Sequence, residues 1–182
     1  MKPVFAGSID EEEIYDAWKI AQSNDLTNIK LSMGGVESIA PTIASLMVDA
    51  MPSVKRILSN AGFKAINSGQ WRSFSKTDFT VAHGNVDPHS DDGLGMAALV
   101  LLKVTPFCKS NSVSLTSSLY LTDNWLWTGH GLTMVKEGDV VVFDGNKEHA
   151  WFCPGRAHFI TVLVTKKRKQ KGDIVGLPVP RK

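Results

Sequence analysis

Two short stretches of the chain carry the side chains best suited to chemistry. His89 and Asp91 are separated by one residue just before a long apolar run, and His149 begins another apolar run about sixty residues later. On an extended segment, residues two apart point to the same face, so His89 and Asp91 can present a nitrogen and an oxygen together. Two imidazoles and one carboxylate can occupy one face of an octahedral metal ion, a donor set typical of non-heme Fe(II) centres. The pattern therefore predicts a metal site made of these three residues.

Asp92 is the competing carboxylate in this stretch. Because it is adjacent to Asp91, it points to the other side of an extended segment, and a turn hydrogen bond before Gly93 accounts for it. We therefore expect Asp91 to be the ligand. The remaining isolated histidines His83 and His130 are expected to be structural or surface residues.

The composition is that of an ordinary globular protein. Of the 182 residues, 43% are hydrophobic and 21% are charged, which predicts one domain with a substantial core. A net charge of +2 is too small to indicate nucleic-acid or membrane binding by itself. The two cysteines, Cys108 and Cys153, form no disulfide framework and no zinc-binding pattern. Without a signal-peptide pattern or an apolar run of membrane-spanning length, a soluble, cytoplasmic protein is expected.

The first third of the sequence has helical periodicity. Apolar residues at helical spacing follow an acidic cluster that suits a helix N-terminus. The helical pattern resumes between Val36 and Asn60, with a break expected at Pro52 and a stop signal at Gly62. Residues 1–62 are therefore predicted to form a helical support layer.

After Phe63 the pattern changes to short β-rich runs separated by Gly, Pro, Asn and Asp. Helices followed by about eight strands predict an α+β fold with an antiparallel sandwich or barrel in residues 63–165, so that residues 1–165 make a single domain. Residues 166–182 form a basic tail containing Gly and Pro, which is expected to be solvated or to contact nucleic-acid phosphates. The predicted strands are Lys64-Asn67, Gln70-Ser75, Asp78-His83, Gly95-Val104, Ser112-Leu121, Leu132-Val135, Asp139-Phe143, Glu148-Cys153 and His158-Thr165.

Pro154-Gly155 is predicted to close a two-residue hairpin between the last two strands. His149 would then lie opposite Ile160. Because same-face residues alternate by two, Arg156 and His158 would share the face of His149. A buried cation on that face would suit a co-substrate carboxylate, which arginine binds through two parallel hydrogen bonds.

Together these features resemble the Fe(II)- and 2-oxoglutarate-dependent oxygenases. The resemblance depends on the His-x-Asp pair, on the single distal histidine after an apolar strand and on the basic residue shortly beyond it, and it covers residues 78–165. It implies a double-stranded β-helix, or jelly-roll, core. It also implies that His89, Asp91 and His149 bind Fe(II). Arg156 would pair with the distal carboxylate of 2-oxoglutarate, and oxidation of a substrate by O2 would release succinate and CO2.

Two features depart from the pattern of that family. Arg156 follows the distal histidine more closely than the family's basic residue usually does. The alternative partners for 2-oxoglutarate are His158, Arg72 and Lys103. No tyrosine stands just before the His-x-Asp pair, so Asn85 or Tyr120 is expected to supply that polar group.

The substrate is not identified by the sequence. Trp125 and Trp127 alternate so that both point to one face, where they can stack on a substrate or cap the barrel. With Asn85 they are the predicted substrate-facing residues, because loops on a rigid scaffold commonly carry function. A protein side chain, a small metabolite and a nucleic acid are equally compatible substrates.

Two other classes of function fit the same residues. A cupin-like metalloenzyme would use the metal without 2-oxoglutarate, although cupins usually bring histidines together as a His-x-His pair, which this sequence lacks. A metal-free jelly-roll binding module would need His89 and His149 only as structural residues. Binding of metal and of 2-oxoglutarate distinguishes the three classes.

Overall fold

The computed structural model describes residues 4–73, 75–91, 94–107 and 123–165. In these ranges the chain forms three α-helices and ten β-strands. The helices are α1 (Glu11–Ser23), α2 (Pro41–Asp49) and α3 (Pro52–Asn60). The strands are β1 (Val4–Ser8), β2 (Val36–Ile39), β3 (Ser75–His83), β4 (Val86–His89), β5 (Leu94–Pro106), β6 (Asn124–Thr128), β7 (Gly131–Val135), β8 (Asp139–Asp144), β9 (His149–Phe152) and β10 (Gly155–Thr165).

The strands form two antiparallel sheets that pack face to face. The larger sheet has the order β1-β8-β5-β10-β3-β2, and the smaller sheet has the order β4-β9-β6-β7. From β3 to β10 the chain passes repeatedly from one sheet to the other, which is the connectivity of a double-stranded β-helix. The predicted α+β jelly-roll fold is therefore confirmed, and β1 and β2 extend the larger sheet at its two edges.

The larger sheet has an apolar core on each of its faces. Between the sheets, Phe159 of β10 packs against Trp151 of β9, with ring centroids 5.6 Å apart. On the other face, Ile160 belongs to a second core with Met47 and Leu58 from the helices. Because both faces of the central strands are covered, these strands have nearly continuous apolar sequences.

Local sequence features account for the first turn of each helix. Prolines open α2 and α3, where the missing amide hydrogen bond costs nothing. The first turn of α1 is acidic, and its Glu13 carboxylate accepts a hydrogen bond from the Ser53 amide, 3.2 Å from each oxygen. This contact satisfies a free amide at the start of α3 and joins the two helices. Within the described ranges, no helix has the length and apolar character needed to cross a membrane.

Several predicted elements differ from the structure. Val36–Ile39 is a strand paired with β3 and is not the start of a helix. Lys64–Asn67 and Trp71–Ser73, predicted within strands, form short 3₁₀ helices that bury Ile66 and Trp71. Short apolar runs fit helix and strand about equally well, which explains these errors. The predicted strand at 112–121 and the basic tail at 166–182 lie outside the described residues.

The hairpin predicted at Pro154-Gly155 is wrong. β9 pairs with β4 and β6 in the smaller sheet, whereas β10 pairs with β3 and β5 in the larger sheet. The chain therefore crosses between the sheets at this point and does not fold back on itself. A double-stranded β-helix requires this crossing, because β9 and β10 belong to opposite walls.

Candidate metal centre

β4 and β9 bring the predicted triad together. His89 lies opposite His149 in this antiparallel pair, and their ring centroids are 4.4 Å apart. Asp91 follows β4, and its Oδ2 lies 3.6 Å from Nε2 of His149. One ligand atom from each of the three residues lies within 4.8 Å of the others. The alternative carboxylate, Asp92, lies outside the described residues.

The two histidine rings are held in the same way. Nδ1 of His89 lies 2.8 Å from the carbonyl oxygen of Asp87, and Nδ1 of His149 lies 2.9 Å from that of Lys147. A carbonyl oxygen can only accept a hydrogen bond, so we assign the proton of each neutral ring to Nδ1. Each Nε2 then keeps a lone pair for a metal ion. The donor set therefore fits a divalent metal.

The three candidate ligands differ in their exposure to solvent. His149 is buried beside Phe143, with ring centroids 4.9 Å apart, while Asp91 is partly exposed and His89 is exposed. Burial and, to a lesser degree, the neighbouring His89 lower the pKa of His149, although the Lys147 carbonyl and Asp91 act in the opposite direction. A lowered pKa keeps this imidazole neutral, as a metal ligand must be.

The loop after β8 positions the acidic ligand, which the sequence pattern did not predict. The Asp91 amide donates a hydrogen bond to the carbonyl oxygen of Gly145, at 2.8 Å. A Cβ atom at Gly145 would lie 3.3 Å from the Gly95 carbonyl oxygen and from the Ala97 side chain, and 3.6 Å from Oδ2 of Asp91. Glycine at this position therefore allows the loop to approach both β5 and the carboxylate.

The face of β10 that is directed towards the smaller sheet is apolar. Phe159 and Leu163 lie in the core between the sheets, while Ile160 faces the helices. His158 lies on the helix side as well, and its ring packs edge-on against Trp18 of α1, with centroids 5.0 Å apart. The wall of the barrel formed by β10 therefore presents no cation among these side chains.

Arg156 lies near His158, away from the interior of the barrel. Its Nη2 donates a hydrogen bond to Nδ1 of His83, at 3.1 Å, and both arginine and His158 line a cavity that also contains Trp18. The inference that Arg156 and His158 share a face with His149 is wrong, because it depended on a hairpin that the chain does not form. The role of these two residues in holding 2-oxoglutarate loses its geometric basis.

The alternative anchors are also placed elsewhere. Arg72 forms an ion pair with Asp49 at the end of α2. Lys103 is exposed on β5, opposite His158. Tyr120 lies outside the described residues.

Trp125 and Trp127 share one face of β6, as their alternation predicts. Leu126 between them points into the core, so the tryptophans lie on the outer face of the smaller sheet. His149 points to the inner face, where it contacts Phe143. The two tryptophans and this histidine therefore occupy opposite sides of the same sheet.

Asn85 has a structural partner. Its Oδ1 accepts a hydrogen bond from the Cys153 amide, at 3.0 Å, which ties the start of β4 to the end of β9. His89 lies at the opposite end of β4. This hydrogen bond gives the Asn85 side chain a structural role that does not require contact with a substrate.

Comparison with known proteins gives matches in structure only. No family model matches the sequence, and no curated protein matches it significantly. A prolyl-4-hydroxylase from Pseudomonas putida aligns with a TM-score of 0.50 at 11% identity, covering 91% of this chain and 92% of that chain. A prolyl hydroxylase from Trichoplax adhaerens, in complex with a peptide fragment of the hypoxia inducible factor oxygen degradation domain, aligns with a TM-score of 0.50 at 11% identity over 90% of this chain and 82% of that chain.

A cupin superfamily protein from Desulfitobacterium hafniense aligns with a TM-score of 0.41 at 11% identity, covering 77% of this chain and 86% of that chain. At such identities the likeness concerns the fold alone. Together with the sheet connectivity, the two hydroxylase matches identify the chain as having the double-stranded β-helix fold of the prolyl hydroxylases.

Proposed function

We propose that the protein is an Fe(II)-dependent oxygenase, and in the first instance a 2-oxoglutarate-dependent dioxygenase that hydroxylates a substrate and releases succinate and CO2. The observation that best supports this proposal is the cluster of His89, Asp91 and His149, in which both histidines keep Nε2 available to bind a metal ion. Two neutral imidazoles and one carboxylate leave part of an octahedral coordination sphere open, as in non-heme Fe(II) oxygenases. The prolyl hydroxylase fold agrees with this assignment.

The side chains around the cluster have defined tasks. His89, Asp91 and His149 hold the metal, which supplies the redox chemistry when bound. The carbonyl oxygens of Asp87 and Lys147 fix the two rings in the tautomer that binds metal. On the interior side, the apolar core keeps water away from the buried ligand.

The described residues fit 2-oxoglutarate less well than they fit the metal. A dicarboxylate in the barrel needs a cationic partner, yet β10 directs Phe159 inward and carries Arg156 near the helical layer. This observation favours a second candidate, a cupin-like metalloenzyme that uses the same metal ligands without 2-oxoglutarate.

Anaerobic titration with Fe(II), followed by 2-oxoglutarate, separates these candidates. Both require one equivalent of bound metal. A weak visible charge-transfer band after 2-oxoglutarate addition supports the dioxygenase, and metal binding without that band supports the cupin-like enzyme. If the folded protein binds no stoichiometric metal, both are wrong and a metal-free binding module remains.

Single-residue variants test the site itself. His149→Ala removes the buried ligand, so we expect stoichiometric Fe(II) binding to be lost, as measured by metal content after anaerobic dialysis. His130→Ala is the matched control, since His130 is an exposed histidine outside the cluster. Equal metal content in the two variants would contradict the assignment.

Arg156→Ala tests the co-substrate anchor that the sequence suggested. Because Arg156 lies with His83 and His158 beside the helical layer, we expect the variant to leave any 2-oxoglutarate band unchanged. Loss of the band would restore Arg156 as the anchor. The substrate is best sought by screening peptides, metabolites and nucleic acids for stimulated succinate release.

A further inference from the structure

A cavity of about 430 Å³ lies on the helix side of the larger sheet. Its lining combines polar groups from three strands with an aromatic residue of α1. The residues that matter here are Trp18, His83, Phe107, Arg156 and His158. Its volume falls within the range of about 300–1,000 Å³ that is typical of small-molecule sites.

Arg156 is the cationic group of this cavity. It is half-buried, and no described carboxylate lies within ion-pair distance of it. One of its N–H groups donates to Nδ1 of His83, at 3.1 Å. A guanidinium has five N–H donors, so others remain for a ligand. Because an arginine N–H can only donate, Nδ1 of His83 is the acceptor in this contact, and Nε2 of His83 is the ring nitrogen that can supply a further donor.

His158 adds a buried polar side chain to the same cavity. It is 2% exposed, and its ring lies close to the backbone carbonyls of Thr27 and Lys103, although neither ring nitrogen makes a hydrogen bond of good geometry in the described part of the chain. Burial and then the charge of Arg156 lower the pKa of His158 to about 4, while the carbonyls of Thr27 and Lys103 act in the other direction. The ring is therefore neutral near pH 7 and has one N–H to donate. The two neighbouring carbonyls can only accept hydrogen bonds, so one ring nitrogen keeps a lone pair that no described donor satisfies.

The aromatic residues define the rest of the cavity. Phe107 stacks on His83, with ring centroids 4.7 Å apart and planes at 27°. Trp18 packs edge-on against His158. Cationic and neutral donors therefore lie next to apolar rings.

We propose that this cavity binds a small monocarboxylate with a planar apolar body, whose carboxylate contacts Arg156 and whose body lies against Trp18 and Phe107. One guanidinium balances one negative charge and matches the two oxygens of a carboxylate. A phosphate dianion would keep an unbalanced charge opposite a single guanidinium.

The cavity is separate from the metal centre. From His149 to Cys153 the chain advances four residues, which is about 13 Å in an extended strand. It then crosses to the other sheet before it reaches Arg156. A small acid held by Arg156 therefore does not reach the metal ligands, and its binding does not depend on the proposed oxygenase function.

Histidine-detected NMR on the metal-free, full-length chain tests this site. Protein with ¹⁵N-labelled histidine is titrated with benzoate, neutral benzamide and inorganic phosphate. We expect saturable shifts of the His83 and His158 rings with benzoate only, while His89 and His149 stay unchanged. The assignment is overturned if millimolar benzoate leaves His83 and His158 unmoved, or if phosphate or benzamide binds as tightly.

Variants separate the arginine contact from general effects of charge. Arg156→Gln is expected to weaken benzoate binding about tenfold or more, because charge-assisted hydrogen bonds are lost. Arg156→Lys keeps the positive charge but cannot make two parallel hydrogen bonds to a carboxylate, so its affinity for benzoate should be intermediate. This variant also tests the site if Arg156→Gln does not fold. Arg72→Gln, outside the cavity, is the matched control and should bind like the wild type. Wild-type affinity in a folded Arg156→Gln variant would overturn the site.

Discussion

At the scale of single residues, His89 and His149 show how a short backbone segment determines side-chain chemistry. In both, Nδ1 faces the carbonyl oxygen two residues earlier in the chain. The repeated contact assigns the same tautomer to both rings and leaves both Nε2 atoms available. The sequence predicted which residues meet, but ring orientation depends on backbone geometry that spacing does not specify.

His158 makes stability depend on pH. Burial, followed by Arg156, lowers its folded pKa to about 4 from the ordinary 6.5. The unfolded chain therefore binds a proton at this histidine more readily than the folded chain does. The contribution of the neutral His158 ring to the free energy of unfolding is fully present above pH 6.5 and is lost as the pH falls towards 4. Phenylalanine cannot titrate. Between pH 7 and pH 4, we therefore expect the free energy of unfolding of His158→Phe to fall by roughly 2–3 kcal/mol less than that of the wild type.

Urea unfolding at several values between pH 7 and pH 4 measures this effect. The free energy of unfolding of the wild type should fall more steeply than that of His158→Phe. His130→Phe replaces an exposed histidine and serves as the control. Parallel pH profiles for wild type and His158→Phe would rule out the buried imidazole as the source.

At the scale of elements, Asp49 joins α2 to its neighbours. Its carboxylate accepts hydrogen bonds from Lys55 of α3, at 3.0 Å, and from the Trp71 indole, at 3.1 Å, and it pairs with Arg72. Burial raises the pKa of Asp49, but the hydrogen bonds from Lys55 and Trp71, together with the charges of Lys55 and Arg72, outweigh it and hold the pKa below 3.8. The ionised carboxylate therefore stabilises the helical layer.

Asp49→Asn should lower the free energy of unfolding by about 1 kcal/mol at pH 7, since the site is partly exposed and its ion pairs are screened. Because the folded pKa is depressed, this contribution is present above the ordinary value of 3.8 and is lost as pH falls through the folded value. Chemical denaturation at pH 7 and near pH 3 checks both points. A difference between variant and wild type that is equally large at both pH values would contradict the role of the charge.

Gly155 fixes the point at which the chain crosses between the sheets. A Cβ atom there would lie 2.1 Å from the Thr105 carbonyl oxygen and 2.7 Å from Cα of Pro106, its partner in β5. Gly155→Ala is therefore expected to cost roughly 2–4 kcal/mol. Gly129→Ala, with nothing within 4 Å of the new Cβ, should change stability by less than about 0.5 kcal/mol. Comparable denaturation midpoints for the two variants would refute the steric argument.

Sequence periodicity located several strands but did not assign each strand to a sheet. Apolar runs identified the regions of β3, β5, β8 and β10, because their burial leaves a clear pattern. Periodicity shows which residues of one strand share a face, but it does not show which sheet the strand joins. Pro154-Gly155 fits a hairpin and a crossing equally well, so the triad on β4 and β9 was predicted while the placement of Arg156 was not.

At the scale of the whole molecule, the larger sheet separates two polar sites. The residues proposed to bind metal lie on the β4–β9 pair and just after β4, and the Arg156 cavity lies towards α1. Each site takes residues from more than one element, so ligand binding at either one holds distant segments together. Because the larger sheet lies between the two proposed sites, we expect that both can be occupied at the same time.

Metal binding should stabilise the entire fold, because the ligands come from two strands and the segment after one of them. A metal that binds only the folded state stabilises it by about 2.7 kcal/mol at about 100 times its Kd. Co(II), used in place of Fe(II) to avoid oxidation, should raise the Tm of the wild type and of His130→Ala but not that of His149→Ala. The shift should shrink in acid, since protons compete for the imidazoles and the carboxylate. An equal Tm increase in His149→Ala would place the stabilising metal at some other site.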